Sequence, residues 1–195
     1  MTSVLTVCAF VSGVVAVYAE VARRRRLLYV AKPLTMIFII GLLVTAAPVA
    51  AAYQPAYRWL VGAALVCSLV GDVFLMLESD RFVAGVASFL VAHLCYVAAF
   101  VQGIRVAPEP VGAVPVAAAA LVVGAYAMVV MSRLWPRLGE MRVPVAVYVG
   151  VISTMLCAAA VAWLTGAGAF APWALAGAVL FVASDTTLAF HRFVG

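Results

Sequence analysis

The chain has 195 residues, 68% of them apolar and only 10% charged, whereas soluble domains run at about 45–50% apolar and about 25% charged. That excess excludes a water-soluble globule, because apolar runs of the ~20 residues needed to cross a bilayer use up most of the length. The formal charge of +5 reads as membrane topology and not as a nucleic-acid footprint, since no soluble basic patch with interleaved aromatics is present to follow a phosphate backbone.

Charge, Pro and Gly cluster at the breaks between seven apolar runs, at about 3–22, 27–47, 57–77, 82–103, 111–132, 142–165 and 171–191. None shows the sustained polar–apolar alternation of a membrane barrel strand. The expected fold is all-α, a polytopic transmembrane helix bundle of about seven spans forming one transmembrane domain over 1–195, without an internal repeat. The first run has no basic leader and is followed by Arg23-Arg24-Arg25-Arg26, the reverse of a cleavable signal peptide, so it is expected to stay as an anchor with its N-terminus outside. Threading onward places those four arginines, Lys32, Arg81, Arg133, Arg137, Arg142 and Arg192 on the cytoplasmic side, and Arg58 and Arg105 on the other. That split satisfies the positive-inside rule and implies a bacterial inner membrane with the end of the seventh run cytoplasmic. The connections are short, the longest expected near Arg133 to Met141, so neighbouring helices should be antiparallel.

Small residues suit close helix contact in lipid, and Gly62, Gly71, Gly85, Gly150 and Gly177 are assigned that role. Cys8, Cys67, Cys95 and Cys157 each sit within an apolar run, with no CxxC and no neighbouring His, and read as packing residues.

Four polar residues interrupt the spans. An Asp or Lys at a helix centre costs roughly 2.5–3.5 kcal/mol on insertion scales, so such residues usually face an interior cavity. Asp72 lies five positions before Leu77, or roughly 7–8 Å inside the third run. Asp185 is at similar depth in the seventh. Lys32 is about a turn into the second, beside Pro33, which should bend or begin the helix. His93 is about 16 Å along the fourth, near the midplane. Bland alternatives exist: Lys32 can snorkel to the headgroups, His93 can be a packed imidazole bonded to a carbonyl, and either Asp72 or Asp185 can pair with Lys32 purely structurally. His191, Arg192, Glu78, Asp80, Glu109 and Glu140 lie at ends or loops and read as solvated. Ser68 is one turn before Asp72, Tyr96 three residues after His93, and Ser184 adjoins Asp185, with Thr186 and Thr187 following. A polar seam on several helices implies a wet pocket open to the cytoplasm, at which Asp72 and Asp185 are expected to meet.

The segments carrying these residues resemble the YhhN-like lysoplasmalogenase family of integral membrane proteins. They are Lys32-Pro33-Leu34-Thr35-Met36, Ser68 to Leu77 with Gly71-Asp72, Phe82 to Gly85 leading to Phe89 to Tyr96 with Ala92-His93, and Ser184-Asp185 with Leu188. The ordered set KP, S-x-x-GD-x-x-LML, AH-x-x-Y and SD carries the likeness, each motif alone being weak. It implies a hydrolase that splits the vinyl-ether bond of lysoplasmalogens into a fatty aldehyde and a glycerophospho-headgroup, with Lys32, Asp72, His93, Tyr96 and Asp185 at motif positions. Members of the family usually carry an eighth span after the SD segment, and this sequence ends at Gly195.

Such chemistry suits the residues. A vinyl ether hydrolyses by protonation at its β-carbon, water captures the oxocarbenium ion, and the hemiacetal collapses, so an acid and a base are needed, as in glycoside hydrolysis. Asp72 and Asp185 are the expected pair, His93 an orienting group or shuttle, and Lys32 a phosphate ligand together with the arginines. Ser68, Ser184 and Tyr96 would line the substrate. The scheme calls for no metal or cofactor, and its partners are a lysophospholipid with a vinyl ether and the membrane lipids, with no nucleic acid; the oligomeric state stays open. The alternatives are a small-molecule or proton-coupled carrier using the same acids, though matched broken-helix halves are absent, and a structural membrane subunit.

Overall fold

A computed structural model describes residues 2–45, 55–77, 81–107, 112–168 and 170–195. Among them are seven α-helices and no strand: α1 Thr2–Val21, α2 Arg25–Thr45, α3 Pro55–Met76, α4 Phe82–Arg105, α5 Ala113–Leu134, α6 Arg142–Leu164 and α7 Ala171–Phe193. All seven are long and apolar enough to cross a membrane, and each end falls within two residues of the expected span. Prolines in the first turns of α3, α5, α6 and α7 explain the accuracy of those starts. Pro55, Pro115, Pro144 and Pro172 occupy positions where the missing amide hydrogen would be unused anyway.

Two details sharpen the expectation. Of the two roles expected of Pro33, it does not begin α2: the helix already runs from Arg25 and carries Pro33 inside, where a proline leaves the carbonyl one turn earlier without its donor. The connection between α5 and α6 is built of two single 3-10 turns, Trp135–Arg137 and Gly139–Met141.

The chain divides into two compact units, residues 1–95 and 96–195, with the division inside α4. In the first, α1 packs on α2 and α2 on α3. The turn from α1 to α2 closes with Arg23 in the left-handed region (φ 53°), the Arg24 amide reaching back to the Ala19 carbonyl at 2.8 Å. Ser12 and Thr35 join α1 to α2 through a hydroxyl pair at 3.0 Å. In the second unit, α5, α6 and α7 pack pairwise around Phe100, Ile152, Met155, Ala159 and Val182. There α6 ends in a glycine cap: Gly166 takes φ +63°, and the Ala167 amide donates to the Ala162 carbonyl at 2.9 Å. Large apolar side chains such as Phe10 and Leu121 are exposed, the surface expected where the solvent is hydrocarbon.

Candidate active site residues

The first unit brings Lys32 and Asp72 together. Lys32 reaches from α2, one to two turns past Arg25, and its Nζ lies 2.8 Å from Oδ1 of Asp72 on α3. The aspartate side chain is 11% exposed and the lysine 38%, so one end of the pair is sheltered and the other open. The Asp72–Lys32 pairing, one of the two left open for the lysine, is thus present within this unit.

A close approach of α3 and α4 backs the carboxylate. α3 buries Ala64, Leu65, Ser68, Gly71 and Asp72, one helical face, and α4 buries Gly85, Phe89, Ala92 and His93 on one of its own. A Cβ at Gly71 would fall 2.7 Å from the Phe89 ring, and one at Gly85 2.8 Å from Leu75 and 3.3 Å from the Gly71 carbonyl oxygen. Ser88 donates to the Cys67 carbonyl at 2.7 Å across the same contact. Gly71 and Gly85 therefore play the packing role assigned to them, and Gly62 a milder one, 3.4 Å from Leu43. Gly150 and Gly177 do not: a Cβ at either meets nothing within 4 Å, so small size there serves no contact among the described residues.

His93 is fully buried, and its Nδ1 is hydrogen-bonded to the Phe89 carbonyl one turn earlier. A carbonyl only accepts, so Nδ1 carries the hydrogen and Nε2 of the neutral ring is the acceptor, the tautomer a proton shuttle or water-orienting group uses. Ser68 is 2% exposed and its hydroxyl has no hydrogen-bond partner among the described residues. Ser12, Thr35 and Thr45 of the same unit all bond back to a carbonyl one turn earlier. A buried unpaired hydroxyl costs about 1–3 kcal/mol, so Ser68 is suited to bond a water or a substrate oxygen.

The second unit holds the remaining candidates. On α7, Asp185 is half-buried and its Oδ2 accepts from the Tyr148 hydroxyl of α6. Thr186 pairs with Tyr126 of α5 at 2.8 Å, whereas Thr187 bonds back to the Ala183 carbonyl and Ser184 is exposed. Tyr96 packs against the apolar cluster and stacks on Phe100 at 6.2 Å between ring centres. Asp72, Lys32, Ser68 and His93 thus belong to one unit, and Asp185, Ser184 and Tyr96 to the other.

Tyr148 was missed in the sequence. Its signal is depth: six residues into α6, it lies about 9 Å from the helix start, against about 12 Å for Asp185 measured from the end of α7. Antiparallel neighbours bring those levels together.

Among the solvated assignments, Glu140, His191 and Arg192 are exposed, and Glu78, Asp80 and Glu109 lie outside the described residues. The four cysteines are free thiols, each half-buried. Among the described residues no group of three or more His, Cys, Asp or Glu side chains could hold a metal ion.

The model of the YhhN family matches residues 27–195. A protein named lysoplasmalogenase from Mycobacterium tuberculosis is 36% identical over 158 residues, 79% of this chain and 57% of that protein. Lysoplasmalogenase TMEM86B of Rattus norvegicus is 37% identical over 138 residues, 71% of this chain and 52% of its own. The membrane protein YhhN of Shigella flexneri, named as uncharacterised, is 30% identical over 167 residues, 84% of this chain and 73% of its own. The chain spans about half the length of the lysoplasmalogenases it matches. No solved structure matches.

Proposed function

Since this chain belongs to the YhhN family of membrane proteins, we propose that it is a membrane-embedded ether hydrolase that cleaves the vinyl-ether bond of lysoplasmalogen-like lipids, releasing a fatty aldehyde and a glycerophospho-headgroup. The observation that carries this reading is the Lys32–Asp72 ion pair, formed from the KP and GD segments of a chain 36% identical to a mycobacterial lysoplasmalogenase. An ion pair inside spanning helices is costly to insert and is retained where a polar reaction or a polar headgroup must be handled.

In the proposed reaction one carboxyl, of Asp72 or Asp185, delivers a proton to the β-carbon of the vinyl ether. The double bond's electrons take it up, leaving an oxocarbenium ion on the carbon bonded to the ether oxygen. The other carboxyl accepts a proton from the water that adds to that carbon, and the hemiacetal collapses with its hydroxyl proton leaving and the glycerol oxygen gaining one. His93, an acceptor at Nε2, orients the water or relays the proton. Lys32 has three donors, one of which meets Asp72, and the others serve the lipid phosphate together with the arginines of the proposed cytoplasmic side. Ser68 bonds the water or a substrate oxygen, and Ser184 and Tyr96 line the chain-binding side. The basic residues, ten against two, favour an orientation with the N-terminus outside and the end of α7 in the cytoplasm, and the membrane proposed is a bacterial inner membrane.

The test is purified protein in detergent, given lysoplasmalogen or its saturated alkyl-ether analogue. Aldehyde should appear from the vinyl compound alone, because only that compound can be protonated at carbon in this way. Cleavage of both overturns the mechanism, and cleavage of neither overturns the activity; counterflow in sealed vesicles without conversion would make the protein a carrier.

A further inference from the structure

Asp185 sits on a helix held on two sides by tyrosines. The Tyr148 ring packs against the cluster of Phe100, Ile152, Met155 and Val182, which fixes where its hydroxyl stands, and that hydroxyl donates to Oδ2 of Asp185. The next residue, Thr186, meets the Tyr126 hydroxyl at 2.8 Å. Successive helix positions point about 100° apart, so the two bonds run to different helices, α6 and α5, and only the first of them touches the acid.

We propose that Tyr148 is the positioning residue of the Asp185 carboxyl, holding its plane and rotamer at the angle proton transfer requires. This rests on the reading of Asp185 given above. The phenol acts through the carboxyl and makes no contact with substrate, so its removal disturbs the chemical step and spares binding. Displacement of a reacting group by about 1 Å costs on the order of 10²-fold in rate, which sets the scale.

Tyr148→Phe should lower kcat by about 10- to 100-fold with KM within about two-fold, and should shift the infrared carboxyl stretch assigned to Asp185 by its loss in Asp185→Asn. Tyr126→Phe removes an equal hydroxyl one α7 position along and should keep kcat within about two-fold. Added to Asp185→Asn, Tyr148→Phe should cost nothing further. Should Tyr148→Phe fail to fold, 3-fluorotyrosine at position 148, nearly isosteric and a stronger donor, should move the same stretch in the otherwise unchanged protein. Parental kcat in Tyr148→Phe beside an inactive Asp185→Asn overturns the positioning role and leaves the hydrolase reading standing. Parental kcat in Asp185→Asn sinks the role of Asp185 itself. Equal losses in kcat and melting temperature for both Phe variants reduce the tyrosines to scaffold and overturn the proposal, as does a carboxyl stretch that fluorination leaves in place.

Discussion

In residues 1–95 the carboxyl of Asp72 meets an ammonium, while in residues 96–195 the carboxyl of Asp185 meets a phenol. The surroundings differ in step with the partner. Beside Asp72, α3 and α4 touch through Gly71, Gly85 and Ser88, with no room for another methyl at Gly71. Around Asp185 the helices are held by tyrosine hydroxyls, and the glycines of α6 and α7 have open space where a side chain would go. A pair of full charges in hydrocarbon needs close walls that keep its partners from separating. A neutral donor on a rigid ring carries its own geometry and tolerates looser packing. The lesson is that depth narrows an acid's partners to the groups at its level, and helix packing chooses among them.

The strongest way to break the comparison is to remove each charge in turn. Asp72→Asn and Asp185→Asn, purified with helical content intact, should each lose at least about 100-fold in vinyl-ether cleavage, the range for a lost general acid or base. Parental turnover in both would end the carboxyl mechanism, and loss in one alone would assign the chemistry to that unit. A smaller effect separates the packing of the two regions. Gly71→Ala drives a methyl into the Phe89 ring and should destabilise by about 1–3 kcal/mol, whereas Gly150→Ala, with nothing to strike, should be neutral or gain up to about 1 kcal/mol of helix preference. Thermal melting in detergent checks both, and equal melting temperatures would erase the contrast. The smallest effect concerns the turns. Arg23 takes at the end of α1 the left-handed conformation that Gly166 takes at the end of α6, at a cost of about 1 kcal/mol for a residue with a Cβ. Arg23→Gly should therefore raise stability by about 0.5–1 kcal/mol, and a drop would mean the arginine side chain contributes more than the backbone loses.

The helix ends were legible because prolines and charges mark where a chain leaves the bilayer, and both act within a turn of themselves. Asp72, Asp185, Lys32 and His93 were legible as costly residues in apolar runs for the same local reason. That Lys32 reaches Asp72 was not, since it depends on how α2 packs on α3. Tyr148 escaped because a tyrosine in an apolar span is ordinary until an acid is found at its level on the neighbouring helix. Gly150 and Gly177, where a Cβ meets nothing within 4 Å among the described residues, could not be told from Gly71 and Gly85 because composition does not say which way a glycine faces.

Composition and the spacing of breaks determined by themselves the seven helices, among the described residues, that are long and apolar enough to cross a membrane, and the few expensive polar groups they carry, because transfer into hydrocarbon is a property of each segment alone. The partner of each polar group was decided by tertiary structure. A hydrogen bond or ion pair depends on the rotation and separation of two helices to within a fraction of an ångström, and that is set by side chains distant in the chain.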